Sequence, residues 1–332
     1  SIFSALSGSS PATCAAIGKM GIPEMRKRGF PDGLATGAIA AGGTLGILIP
    51  PSITMIVYGI ATETSIGRLF MAGVFPGLML TAIFMAWSLY TAWRHGYSFS
   101  ERANKYSLKQ KLEILPRVLP FLAIIVGVLF VLYGGVATPS EAAGVGAMFV
   151  LLLVAVVYKV YQPRKIWAII SDSMKESVMI LMIIAASALF SYTLSSLFVT
   201  QSIAEHIVSL DANRWVLMGM INIFLLVAGF FLPPVAVILM TAPILMPIID
   251  QMGFDPYWFA VIFTINMEIG LITPPVGLNL YVINGIVPDI SLPTVLKGAF
   301  PFMMCMVLGI VLLCIFPEIA TWLPTAMMGV AQ

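Results

Sequence analysis

Residues 46–52 read Gly46-Ile47-Leu48-Ile49-Pro50-Pro51-Ser52, and residues 270–276 read Gly270-Leu271-Ile272-Thr273-Pro274-Pro275-Val276. Each stretch carries an apolar run into a double proline. Proline offers no backbone N–H and its ring crowds the carbonyl one turn back. Both stretches therefore predict a helix that opens inside an apolar segment. They lie 224 positions apart, and other helix breakers keep that spacing, Pro23 with Pro247 and Gly29-Phe30 with Gly253-Phe254. After one inserted residue, Gly73, Phe75 and Pro76 meet Gly298, Phe300 and Pro301. Shared breakers carry architecture even where identity is low, so the chain reads as an internal duplication.

The surrounding composition fixes the solvent. Of 332 residues 60% are hydrophobic and only 10% charged, where a soluble domain carries roughly 25% charged residues. That excludes a soluble enzyme, a nucleic-acid binder and a secreted disulfide scaffold. Cys14, Cys305 and Cys314 lie in apolar stretches, odd in number and without metal-ligand spacing, and read as small core residues. About 20 apolar residues cross about 30 Å of hydrocarbon as helix. Spans are predicted at 33–61, 69–93, 118–134, 141–158, 177–199, 257–287 and 298–316. The apolar stretch 215–249 holds Pro233-Pro234 near its middle and reads as a re-entrant hairpin.

Charge placement orients these spans. Fourteen of the 17 Lys and Arg residues fall in 19–28, 94–117 and 159–175, which the positive-inside rule puts in the cytoplasm. Residues 200–214 and 250–256 then face the other side. The loop 19–29 holds four basic residues and its counterpart 243–253 none, so the two copies are expected to be inverted. Inverted repeats whose broken helices meet at the midplane are the architecture of secondary transporters. The expected fold is an all-α polytopic membrane protein with inverted structural repeats, re-entrant helical hairpins and broken transmembrane helices. Its parts are 1–93 (transport part of the first repeat), 94–117 (basic cytoplasmic linker), 118–199 (scaffold helices), 200–316 (transport part of the second repeat) and 317–332 (periplasmic tail).

Each copy has two expected breaks. The hairpin tips are Ser7-Gly8-Ser9-Ser10-Pro11 and Leu232-Pro233-Pro234; the interior breaks run from Gly42-Gly43-Thr44 through Pro50-Pro51 and from Asn266 through Thr273-Pro274-Pro275. Irregular backbone at membrane depth is tolerated only where it is buried in protein or lines a wet cavity. Opened helices present carbonyls to a cation and N-terminal amides to an anion. The candidate binding residues are Ser7, Gly8, Ser9, Ser10, Gly42, Gly43, Thr44, Pro50 and Pro51 in the first copy. In the second they are Pro233, Pro234, Asn266, Gly270, Thr273, Pro274, Pro275, Gly277 and Asn279.

At these residues the sequence resembles the large membrane subunit, DctM type, of tripartite ATP-independent periplasmic (TRAP) transporters. The matching segments are Leu6-Ser7-Gly8-Ser9-Ser10, Gly46 through Ser52, Ala137-Thr138-Pro139-Ser140-Glu141-Ala142-Ala143, and Gly270 through Gly277. The resemblance implies a bacterial inner-membrane permease and sodium-coupled uptake of an organic acid anion by an elevator-like movement. It implies no catalytic residue, no transition metal and no cofactor beyond sodium as coupling ion. The implied partners are a small DctQ-type membrane subunit and a DctP-type periplasmic binding protein that delivers substrate. C4-dicarboxylates, sialic acids, other sugar acids and keto acids use this scaffold. Family chains are longer at the N-terminus, so the first arm of hairpin one is expected to precede residue 1 in a parent of about 430 residues, from the repeat offset. Many relatives carry an acid at the second tip, where this chain has Pro233-Pro234; that favours backbone oxygens, hydroxyls and amides as sodium ligands.

Other readings compete. Ala5-Leu6-Ser7-Gly8 is a near miss to the motif of intramembrane serine proteases, whose serine needs a base, and neither His95 nor His206 lies in a predicted span. Closed tips suit alternating access better than a channel, and a related carrier without a binding protein is a further alternative. Glu268 is the one acid deep in a span, where an unpaired charge is expensive. It is expected to hydrogen-bond nearby broken backbone or to sit at a protein–protein contact, with a cavity-facing proton or cation site as the alternative. Glu141, after Thr138-Pro139-Ser140, reads as a helix cap. Arg68 and Arg214 read as interfacial snorkelling residues, and His95 and His206 as solvated.

Overall fold

The computed structural model describes residues 2–94, 119–120, 123–124, 126–134, 136–199, 202 and 213–329. Among them there is helix and no strand. Seven helical stretches are long and apolar enough to cross a membrane, so the protein is an all-α, multi-pass membrane protein. Contacts divide the chain into two compact units, residues 100–186 and the remainder.

The larger unit contains α1 (Ile2–Ser7), α2 (Ser10–Lys27), α3 (Asp32–Leu48), α4 (Ile53–Thr62) and α5 (Ile66–Arg94). In chain order, α6 (Pro139–Val156) belongs to the 100–186 unit, and α7 (Pro163–Ser196) begins there. The larger unit resumes with α8 (Arg214–Phe231), α9 (Pro234–Gln251), α10 (Pro256–Leu271), α11 (Leu278–Ile286), α12 (Leu292–Ile315) and α13 (Glu318–Met328). Helices that start at 10, 32 and 53 have counterparts starting at 234, 256 and 278, offsets of 224, 224 and 225.

The span read at 257–287, expected to open at its double proline, is two short helices, α10 and α11, separated by residues 272–277. Each arm of the 215–249 hairpin is itself long enough to cross a membrane, so the charge pattern and not arm length carries the re-entrant reading.

The core of the larger unit is built on α10 and α3. Every residue of α10 from Trp258 to Leu271 is buried, and its entry is fixed by Asp255, whose Oδ1 accepts from the Tyr257 and Trp258 amides at 2.8 and 2.9 Å. The Trp258 Nε1 donates to the Leu313 carbonyl at 2.7 Å, which satisfies the indole inside the apolar packing. Glycines let backbones meet. A Cβ on Gly46 would stand 2.3 Å from the Ser4 carbonyl oxygen, one on Gly270 2.3 Å from that of Gly229, and one on Gly298 1.9 Å from that of Gly33. Close helix approach through small residues is the usual means of association where lipid offers no hydrophobic drive. The second hairpin arms pack crosswise, α2 against α11 and α9 against α4.

Within 100–186, Glu141 closes a capping box on α6: its carboxylate accepts from the Thr138 amide at 2.8 Å while its own amide donates to the Thr138 hydroxyl at 3.4 Å. Phe149, Leu152, Trp167 and Met179 are exposed on this unit, as suits side chains that meet lipid.

Candidate functional site

The double prolines act on the helices that precede them. An α-helical carbonyl accepts from the N–H four residues on, and Pro50 and Pro51 have none to offer Gly46 and Ile47. The Ser52 hydroxyl replaces one donor, bonding the Ile47 carbonyl, and accepts from the Met55 amide at 3.2 Å to cap α4. Pro274 and Pro275 deprive Gly270 and Leu271 in the same way. The Thr273 amide reaches Gly270 at 3.3 Å, and the Thr273 hydroxyl donates to the Ile269 carbonyl at 2.6 Å. Gly277, at φ 51°, turns the chain into α11, and both Pro-Pro bonds are cis.

The breaks are shorter than expected. Gly42, Gly43 and Thr44 lie inside α3, which continues to Leu48, so the opening spans only residues 49–52. Gly43 serves packing instead: a Cβ there would stand 2.4 Å from the Cys14 sulfur. The Thr44 hydroxyl is spent on the Ala41 carbonyl at 2.7 Å. Asn266 likewise lies within α10, and the second opening covers 272–277.

The first tip adjoins the first break. Gly8 sits at φ 58°, and a Cβ on it would meet the Pro51 carbonyl oxygen at 3.2 Å. The Ser7 hydroxyl donates toward the carbonyls of Ser4 and Ser9 and pairs with the Thr13 hydroxyl. Those partners are not catalytic bases, and His95 and His206 lie outside the described residues. Ser9 holds the N-cap position of α2 in extended conformation, yet its side chain makes no cap bond. At the second tip Pro233 precedes α9, again without a capping side chain.

The side-chain amides divide between the copies in a way spacing did not indicate. Asn266 Nδ2 donates to Asn222 Oδ1 at 2.6 Å and to the Ile262 carbonyl at 2.9 Å, which ties it to the first arm of hairpin two. Asn279, grouped above with the second tip, binds the first hairpin: its Nδ2 donates to Ser10 Oγ at 2.7 Å and toward the Ala40 carbonyl at 3.5 Å. Both amide oxygens are buried without a partner. Sequence reasoning passed over Asn222 and Ser4, whose hydroxyl reaches the Gly42 carbonyl at 2.5 Å. Asn222 had a signal, a lone amide in an apolar run.

Glu268 departs from its expectation. It is 2% exposed and makes no hydrogen bond to the broken backbone. The Ser10 hydroxyl stands beside the carboxylate, and the Cys14 thiol lies within its electrostatic reach.

Arg26 pairs at the helix ends. Arg26 bridges Asp32 at 2.9 Å and Asp289 at 2.5 Å, and its hydrogen bond holds the Asp289 carboxyl below the usual carboxylate range. Arg68 does not merely snorkel: its guanidinium donates to the carbonyls of Met328 and Gly329, both at 2.9 Å. Arg214 lies over the rings of Trp215 and Phe254 at 5.6 and 5.4 Å.

With this geometry in place, comparison with known proteins is specific. Residues 1–319 match the family described as tripartite ATP-independent periplasmic transporter, DctM component. The chain is 40% identical over 323 residues to the C4-dicarboxylate TRAP transporter large permease protein DctM of Pseudomonas aeruginosa, covering 97% of this chain and 75% of that protein. It is 30% identical over 333 residues to the sialic acid TRAP transporter large permease protein SiaM of Vibrio cholerae, covering 100% and 77%. It is 33% identical over 322 residues to the ectoine TRAP transporter large permease protein TeaC of Halomonas elongata, covering 97% and 74%.

Proposed function

We propose a function whose premise is membership: the chain belongs to the DctM-component family of tripartite ATP-independent periplasmic transporters and is a large permease of that class. From that premise we read it as the sodium-coupled carrier of an organic acid anion in the bacterial inner membrane. It works with a small membrane subunit and takes substrate from a periplasmic binding protein. The two copies sit inverted in the bilayer and move together as an elevator. Relatives named for a C4-dicarboxylate, a sialic acid and ectoine define the range from which the substrate is drawn.

The observation that carries this reading is the first tip against the first break. Ser9 keeps an uncommitted hydroxyl at a helix N-terminus, one residue after Gly8, which lies against the Pro51 carbonyl of the first break. Sodium favours several hard oxygen ligands, and this place gathers them without fixed charge. The second tip with Thr273, Gly277 and the unpartnered Asn266 oxygen supplies a second such set. Two sodium ions flanking one anion leave the loaded carrier neutral or positive, so the membrane potential favours uptake.

The test is uptake against sodium concentration in the full-length complex, for the acid that the partner binding protein retains. Hydrogen bonds to a charged group are worth roughly 1.5–3 kcal/mol, so losing one ligand of several raises the sodium requirement several-fold. Ser9→Ala and Thr273→Ala should show that rise with binding-protein docking unaltered. Unchanged sodium dependence in both, or equal uptake on a proton gradient alone, defeats the reading.

A further inference from the structure

Glu268 stands apart from the ion pairs of the protein. Among the described residues the ion pairs join Arg26, Arg28 and Lys175 to exposed or half-exposed acids, and none reaches Glu268. A charged carboxylate buried to 2% exposure, with only the Ser10 hydroxyl beside it, is too costly to persist bare, so the group holds either a proton or a cation. Its neighbourhood is furnished for a cation. Ser10 is fully buried, stands one turn before Cys14 on the face of α2 that Glu268 addresses, and accepts the Asn279 amide at 2.7 Å. Asn279 is also fully buried, and with its nitrogen donating to Ser10 its oxygen has no partner.

We propose that Glu268, Ser10 and Asn279 form a monovalent-cation site, a third sodium site distinct from the two neutral ones at the tips. The proposal rests on the sodium-coupled reading above and deepens it. The site is one-sided. Thr44, which lies 224 positions before Glu268, is a neutral hydroxyl already bonded to Ala41, so only the second copy carries the carboxylate. It also gathers three elements: α2 through Ser10, α10 through Glu268, and α11 through Asn279 beyond the 272–277 opening. An ion held there ties the first hairpin to both halves of the broken helix. A carboxylate matched by its own ion adds no net negative charge against an anionic substrate.

The deciding measurement is equilibrium binding of ²²Na⁺ to the purified full-length complex without substrate, with choline replacing sodium. Wild type and Glu268→Gln are compared, with Ser9→Ala as reference for a tip site. The expected result is one ion fewer per transporter in Glu268→Gln, with the half-saturating concentration of the remaining ions within two-fold of wild type. Ser9→Ala should keep the Glu268 ion and weaken a different one. Where Glu268→Gln fails to fold, Glu268→Asp serves, since it keeps the charge on a shorter arm; it should bind the wild-type number with one ion at least ten-fold weaker. An unchanged stoichiometry and affinity in Glu268→Gln, or an unchanged curve in Glu268→Asp, overturns the proposal alone. Absence of sodium binding by wild type overturns the sodium-coupled reading as well.

Discussion

Replacing Gly298 with alanine tests the tightest glycine-mediated helix crossing among the described residues. The added methyl would stand 1.9 Å from the Gly33 carbonyl oxygen and 2.6 Å from its carbon, while a Cβ on Gly37 across the same contact would meet the Gly298 oxygen at 2.1 Å. Both contacting atoms are backbone, so no side chain can swing away. To reach an acceptable 3.0 Å, α3 and α12 must part by about 1 Å, which loosens the packing on either side. Overpacking of this kind costs about 1–3 kcal/mol, and the rigid neighbour puts Gly298→Ala at the upper end. A change of that size lowers Tm by roughly 5–10 °C. Gly219 provides the control, because a Cβ there meets nothing within 4 Å; Gly219→Ala should stay within about 0.5 kcal/mol of the parent. Cys14 and Cys305 are buried free thiols, so a thiol-reactive dye reports unfolding in detergent. Equal Tm for Gly298→Ala and the parent would refute the close crossing of α3 and α12.

Other outcomes follow from the same physics. Asp255→Ala removes two amide partners at the start of α10 and should cost about 1 kcal/mol in the same melt. Asp289 has its carboxyl lowered by Arg26, so its contribution is complete above the unfolded value near pH 4 and is lost as pH falls through the lower folded value. Thermal stability of Asp289→Asn should therefore fall less between pH 5 and 3 than that of the parent; identical pH curves would exclude a role for this pair. For topology, Ser100→Cys should resist an impermeant thiol reagent on intact cells while Ser209→Cys reacts. The reverse pattern would invert the charge-based orientation.

The double prolines were legible because they act through covalent structure: a missing N–H stops a helix at Leu48 and at Leu271 whatever surrounds it. The extent of each opening was not. Glycine serves both unwinding and close approach, and nothing local separates the two uses at Gly42-Gly43. Only the position of the Cys14 sulfur assigns Gly43 to packing. Asn279 was recognised as a polar residue near a break, but its partner Ser10 lies 269 positions away, beyond any spacing argument. Glu268 was noticed for its charge, but its neighbour is the Ser10 hydroxyl of α2 and not the broken backbone, a property of the folded environment.

The crosswise seating of the hairpin arms has a consequence for how such a chain can be divided. α2 rests on α11 as well as on α3 of its own copy, and α9 on α4 as well as on α10, so each copy covers part of the other's hairpin arm. A polypeptide holding one copy would leave bare the part of its arm that the other copy's short helix covers. Two severed halves should then rescue each other when produced together, while either alone is degraded. An ancestor encoding a single copy would have needed a second molecule, inserted the other way up, to close the same seams.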